Sequence, residues 1–295
     1  MGKISSLDTF FTGKTVVITG AGSGIGKGLA KTFAHFNCKL ALCDIDEQAL
    51  QTVVKELSVE LPNYCEDNVF SSAFDVSDRA QWDDFLSNTA QQHQHIDVLI
   101  NNAGIEGSCR PVWASDEQSL QRVMDVNFYG MVHGCKAVLP YLSQRPWAAL
   151  LNVSSIFGLI APPNTADYCA SKFAIRGYTE SLRAELSLIH PHIQVHLIHP
   201  GGINTNITRL EQSQKFKHRF LTTAPTDIAM YIAKCIMQNK ARIVYGNKSG
   251  LAHFASRFFP LSWLNKISAR EVKSLGLEED YRDDHPGFTT RSNKK

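Results

Sequence analysis

No stretch of the chain approaches the ~18 consecutive apolar residues that a membrane-spanning helix requires. The N-terminus also lacks the apolar core of a secretory signal, so neither a membrane span nor export is expected. Paired-cysteine motifs are missing. The seven cysteines (Cys38, Cys43, Cys65, Cys109, Cys135, Cys169 and Cys235) are odd in number and include no Cys-x-x-Cys. That argues against zinc and against a disulfide framework, and it fits a reducing, cytoplasmic setting. Net charge is scarce as well: 30 Lys and Arg stand against 28 Asp and Glu spread along the chain, so nucleic-acid binding is not expected. The histidine pairs His93/His95 and His190/His192 lie near helix ends or turns without a third ligand at metal-site spacing. They read as solvated surface groups, and no metal site is expected.

What is present is a regular alternation. With 295 residues and 43% hydrophobic content, the chain can bury a large core. Apolar, unalternating strands are predicted at Thr15–Thr19, Lys39–Cys43, Val69–Phe74, Val98–Asn101, Ala149–Val153, Val195–His199 and Ile243–Tyr245. Helical periodicity covers Ile25–Phe36, Glu47–Glu60, a segment opening at Asp78, a long stretch over Asp116–Leu142, then Ala166–Ser187 and Thr226–Gln238. Repeated βα units of this kind imply an α/β protein with a doubly wound parallel sheet and helices on both faces. Ligands of such sheets bind outside the carboxyl ends of the strands. The expected organisation is one domain over residues 1–248, an extension over 249–275 and a loosely held charged tail over 276–295.

Directly after the first strand, Thr19–Gly26 reads T-G-x-x-x-G-x-G. Glycines at Gly20, Gly22, Gly24 and Gly26 permit a tight turn and close approach of backbone to an anion. The helix opening near Ser23 and Ile25 aims its N–H groups at a phosphate. Asp44 closes the second strand about 20 residues later, where a carboxylate accepts from adenosine-ribose hydroxyls and repels a 2′-phosphate. No Arg or Lys lies between Gly20 and Ser23 or just after Asp44, so NAD is expected in preference to NADP.

Tyr168 and Lys172 stand four apart, on one face of a predicted helix. A tyrosine of pKa ~10 is a poor base near neutrality, and a neighbouring ammonium favours its phenolate. Such a tyrosine can exchange a proton with an alcohol or ketone as hydride is transferred. Ser155, just past the fifth strand, can hydrogen-bond the same substrate oxygen.

These motifs, with Asn101–Gly104, Asn127, Asn152–Ser155, Tyr168–Lys172 and Pro200–Thr205, make the chain similar to the short-chain dehydrogenases/reductases over about residues 10–245. The resemblance implies a Rossmann-like domain with a seven-stranded sheet, assembled as a homodimer or homotetramer. It implies Tyr168 as acid/base, Lys172 lowering its pKa and binding the nicotinamide ribose, Ser155 orienting the substrate oxygen, and Asn127 holding a water that links Lys172 to solvent. For the cofactor it implies Gly20, Ser23, Gly24, Ile25 and Gly26 at the phosphates, Asp44 at the adenosine ribose, and Asp75 and Val76 at adenine. Asn102, Ala103 and Gly104 line it, and Pro200, Ile203 and Thr205 sit near the carboxamide. Ser155 is preferred to Ser154 because its spacing to Tyr168 is the family's.

The segment between Ser155 and Tyr168 is apolar (Ile156, Phe157, Leu159, Ile160) and holds no Arg or Lys, so a secondary alcohol or ketone on an apolar body is the expected substrate. Beyond the seventh strand the chain departs from the family pattern. Leu251, Phe254, Phe258 and Leu261 follow helical spacing, Pro260 ends or kinks that helix, and Arg257, Lys266, Arg270 and Lys273 flank it. Two readings stay open: a lid packed on its own subunit or a neighbour, or a helix lying in a membrane surface. Met1–Ser6 matches the N-myristoylation pattern, although an ordinary polar start is the simpler reading. The alternatives to an enzyme are an NAD-binding sensor or scaffold without turnover, and a membrane-associated interaction protein with a dehydrogenase fold.

Overall fold

The computed structural model describes residues 6–61, 64, 66–207 and 210–274. Seven parallel strands form one sheet: β1 (Thr15–Thr19), β2 (Lys39–Asp44), β3 (Val69–Ala73), β4 (Val98–Asn101), β5 (Ala148–Val153), β6 (Ile193–Pro200) and β7 (Arg242–Tyr245). Their spatial order is β3-β2-β1-β4-β5-β6-β7. The winding therefore reverses between β1 and β4, whose register pairs Val16 with Val98 and Ile18 with Ile100. The crevice beyond the carboxyl ends of these two strands is where such a sheet binds ligands.

The helices are α1 (Ser6–Phe11), α2 (Gly24–His35), α3 (Glu47–Glu60), α4 (Arg79–His93), α5 (Glu117–Met124), α6 (Gly130–Leu142), α7 (Ala166–Ile189), α8 (Glu211–Phe220), α9 (Pro225–Met237), α10 (Ser249–Phe258) and α11 (Leu261–Ser274). Alternate strand residues enter opposite layers. Val16 and Ile18 pack with Leu29 and Phe33 of α2, Leu50 and Val53 of α3, and Ile228 and Ile232 of α9. Val17 and Leu99 face Trp82 and Phe85 of α4, Val138 of α6 and Leu182 of α7. Each such fully buried side chain contributes about 1.5–3 kcal/mol over the exposed state. Because both faces are covered, the central strands β1, β4 and β5 are buried throughout and read as nearly continuous apolar runs, whereas the edge strand β3 is only partly buried.

Four expectations change. The long helical stretch is two helices joined by a π-helical turn at Asp125–Tyr129, where the Gly130 amide reaches back to the Asp125 carbonyl. His93 is buried, not solvated, with Nε2 at 3.1 Å from the Leu40 carbonyl, and burial pushes its pKa down. The chain over 206–223, for which no helix is predicted, contains α8. Leu261 does not share the helix of Leu251, Phe254 and Phe258: α10 ends at Phe258, and Leu261 opens α11. Gly2 and the tail over 276–295 lie outside the described residues.

Candidate active site

The glycine turn is held by its own neighbours. Gly20 has φ +64° and Gly24 φ +51°, a left-handed backbone that disfavours other residues. A Cβ on Gly26 would lie 2.0 Å from the Gly20 carbonyl oxygen, so α2 packs hard against the turn. The Gly22 amide donates to Asp44 Oδ2 at 2.9 Å, and the Asp46 amide donates to Asp44 Oδ1 at 3.0 Å. Asp44 thus faces the turn from the end of β2, with further lone pairs available. Ser23 is the N-cap of α2 and makes no side-chain capping bond, and Ile25 packs partly buried against the core. First-turn amides of α2 have no acceptor within the helix, which leaves donors for an anion.

Thr19 and Asn102 staple the ends of β1 and β4 together. The amides of Asn102 and Ala103 both donate to Thr19 Oγ1 at 2.9 Å, and Asn102 Nδ2 donates to the Thr19 carbonyl at 2.8 Å and the Gly20 carbonyl at 3.2 Å. From the other side, Thr205 closes on the turn: a Cβ on Gly24 would lie 3.0 Å from Thr205 Cβ. Ile203 is buried and bridges to Thr223, following Pro200 at the end of β6. Asp75 Oδ1 accepts from the Ser77 amide and hydroxyl at 3.0 and 2.7 Å, and Oδ2 accepts from Arg122 at 2.8 Å. Burial opposes ionisation of Asp75, but these donors together hold its pKa below the usual value. Val76 beside it is buried, and its carbonyl accepts from Trp82 Nε1 at 2.9 Å. A turn filled by any Cβ, amides at a helix start and a carboxylate at the neighbouring strand end fit a nicotinamide dinucleotide.

The proton-transfer residues converge at the carboxyl end of β5. Ser155 follows that strand, and its hydroxyl accepts from the Phe157 amide at 3.1 Å and is hydrogen-bonded to the Tyr168 phenol. Ser154 is committed elsewhere, donating to the Lys172 carbonyl at 2.8 Å. Lys172 is buried on α7, 5.4 Å from the centroid of the Tyr168 ring, and its Nζ donates to the Val153 carbonyl at 3.2 Å. Burial pushes Lys172 down to about 8. Burial also raises the Tyr168 phenol, opposed by the Ser155 hydrogen bond. Desolvation thus dominates the pKa of both groups.

Asn127 sits on the π-helical turn. Its Oδ1 accepts from the Ile105 amide at 2.8 Å, while Nδ2 donates to the Ile105 carbonyl at 3.0 Å and to Ser171 Oγ at 3.1 Å. Gly104 is flanked by both groups: its Cβ would lie 3.1 Å from Asn127 Oδ1 and 3.4 Å from Lys172 Nζ.

Three further residues shape the site and carried no sequence signal. Asp167 is buried, accepting from the Ser108 amide at 2.7 Å and the Tyr168 amide at 2.8 Å, which ties the loop after β4 to α7. Glu106 accepts from the Leu210 amide at 2.8 Å, joining that loop to the start of α8. His199 Nδ1 lies 2.7 Å from the Ser155 carbonyl, and burial pushes its pKa down to about 4, so it is the neutral ring that holds Ser155. Asp167 adjoins Tyr168 in sequence, but only the fold shows which loop it holds. Among the described residues no cluster of three metal-ligating side chains occurs.

A family profile described as short chain dehydrogenase matches residues 14–215. A Mycobacterium tuberculosis protein provisionally named oxidoreductase SadH is 34% identical over 277 residues, covering 89% of this chain and 97% of its own. The dehydrogenase/reductase SDR family member 7B of Danio rerio is 33% identical over 278 residues, covering 90% of this chain and 88% of its own. The crystal structure of a short chain dehydrogenase/reductase from Burkholderia phymatum in complex with NAD superposes with a TM-score of 0.74 at 26% identity, covering 95% of this chain and 99% of that one.

Proposed function

The chain belongs to the short-chain dehydrogenase/reductase family, and from that premise we propose that it transfers hydride between NAD and a secondary alcohol or ketone on an apolar body. The observation that carries this reading is the meeting of the Ser155 hydroxyl, the Tyr168 phenol and the Lys172 ammonium at the end of β5, beside the glycine turn. Bound NAD would supply the hydride acceptor, and its reduced form the donor. Gly20, Ser23, Gly24, Ile25 and Gly26 would hold the phosphates, Asp44 the adenosine ribose, and Asp75 and Val76 the adenine. Asn102, Ala103, Gly104, Pro200, Ile203 and Thr205 would line the remainder.

Tyr168 is the acid/base in this reading. Its raised pKa keeps it as the phenol at rest, the form that donates a proton to a carbonyl oxygen during reduction. Ser155 shares a hydrogen bond with that phenol, and in this reading the substrate oxygen would sit between the two hydroxyls. Lys172 supports the phenolate as charge develops, and the space it shares with Asn127 beside Gly104 suits a water leading the proton onward. Asp44 favours NAD over NADP because a 2′-phosphate would meet its carboxylate. The protein is expected to act in the cytoplasm as a homodimer or homotetramer, with residues 1–248 carrying the reaction.

The test is a screen of apolar secondary alcohols and ketones with NAD(H) and NADP(H), following reduced-nicotinamide absorbance. Tyr168→Phe should retain NAD binding and lose about 10²–10⁴ in turnover, and Asp44→Ala should narrow the preference for NAD. A Tyr168→Phe enzyme keeping over a tenth of wild-type kcat would overturn the assignment. NAD binding with no turnover on any substrate would favour the sensor reading.

A further inference from the structure

Helix α10 faces two ways. Ser249, Ala252 and Ala255 are buried, whereas Leu251, Phe254 and Phe258 are 66%, 53% and 68% exposed. The own-subunit lid therefore fails for these residues, which point away from the body that α10 packs on. The apolar surface continues into α11, where Leu261, Trp263 and Ile267 are 72%, 59% and 44% exposed. Ring contacts join the two helices, with centroid separations of 4.8 Å for Phe254–Phe258, 6.2 Å for Phe254–Phe259 and 6.0 Å for Phe259–Trp263. A contiguous exposed patch of this kind marks an interaction surface.

We propose that the α10–α11 surface docks on an anionic phospholipid bilayer. Charge decides between this and a second copy of the chain. Arg257, Lys266, Arg270 and Lys273 are exposed around the rings, and the sole carboxylate between residues 249 and 274, Glu271, is already paired with Lys248 at 2.6 Å. Among the described residues, a two-fold contact would lay this face on itself, setting Arg257, Lys266 and Arg270 against their own copies, with the one carboxylate of α10 and α11 already paired. An anionic bilayer supplies both complements at the required depths: phosphates at the headgroups for the cations, and acyl chains beneath for the rings. The inner side of α10 touches β7 and the Ile156–Gly158 turn between Ser155 and Tyr168, so the docked face backs onto the wall of the candidate site. The docking stands on surface chemistry alone and does not depend on the proposed reaction.

The experiment is co-sedimentation of the full chain with vesicles of phosphatidylcholine, alone and with added phosphatidylserine. Sedimentation velocity and a thermal melt are run alongside. Binding is expected with phosphatidylserine only, weakening as salt screens the cations. The triple variant Phe254→Ser/Phe258→Ser/Trp263→Ser should melt as wild type does and partition at least about tenfold more weakly, since each ring removes buried apolar area. Trp263→Phe should abolish any lipid-induced blue shift of tryptophan emission. Two results would overturn the proposal: no binding to phosphatidylserine vesicles, or equal binding by the triple variant. A third would do so too, namely conversion of an oligomer to monomer by the triple variant, because the face would then be covered by another copy.

Discussion

Burial sets the character of the two central side chains. In the unfolded chain Lys172 titrates near 10.5, and in the folded one at about 8, because the ammonium loses water and gains in return the Val153 carbonyl and the face of the Tyr168 ring. The sign follows directly: between those values the unfolded state binds more protons, so stability rises with pH across that window. The destabilisation is complete below about 8 and gone above 10.5. Lys172→Met should therefore be more stable than wild type near pH 7, by up to about 3 kcal/mol, while losing activity. Urea denaturation at pH 7 and pH 10 should show the gap closing; a constant gap would mean that packing, not charge burial, causes it. The spacing of Ser155, Tyr168 and Lys172 was legible because it lies within one strand end and one helix. The desolvation that dominates both groups was not, since it comes from chain segments far away in sequence.

At the scale of elements, the strands and most helices could be read because each carries its own periodicity. The seven strands fall where apolar runs predicted them, with ends moving by one or two residues, as helix and strand ends do. The π-helical turn at Asp125–Tyr129 could not be read: no proline interrupts residues 116–139, so the sequence looks like one helix. That turn places Asn127 opposite Ile105, and Asp167 secures the same loop three residues further on through Ser108. Asp167→Ala would leave the part-buried amides of Ser108 and Tyr168 without acceptors, at a cost of up to about 1–3 kcal/mol for each unpaired group. A fall of that order should appear in chemical denaturation. On the proposed reading the loop borders the substrate side, so KM should also rise more than kcat falls. Asp167→Asn, which keeps one acceptor oxygen, should recover part of both losses.

On the scale of the whole molecule, residues beyond β7 are joined to the segment that follows β6. Lys248 pairs with Glu271 and lies 4.4 Å from the centroid of Phe220, and Arg219 donates to Ser274 Oγ at 3.0 Å. Helix α11 is thereby anchored to α8, which is in turn fastened to the loop after β4 by the Glu106–Leu210 hydrogen bond. The sequence showed an apolar, basic extension but not this linkage, because the partners are separated by some 20 to 100 residues and share no local pattern. Ending the chain after Pro260 removes α11 and both of its ties while leaving the glycine turn and the Ser155–Tyr168–Lys172 cluster in place. The surface ion pair and the exposed Arg219–Ser274 hydrogen bond are each weak, about 1 kcal/mol or less, so the truncated protein should fold and bind NAD with affinity within about threefold of wild type. With α8 less restrained, KM for a large apolar substrate should rise by about tenfold or more while kcat changes little, the pattern of lost uniform binding. Steady-state kinetics on large and small alcohols would check this. An equal loss on both would place the effect in the shared catalytic cluster, and unchanged kinetics would separate α11 from the substrate side altogether.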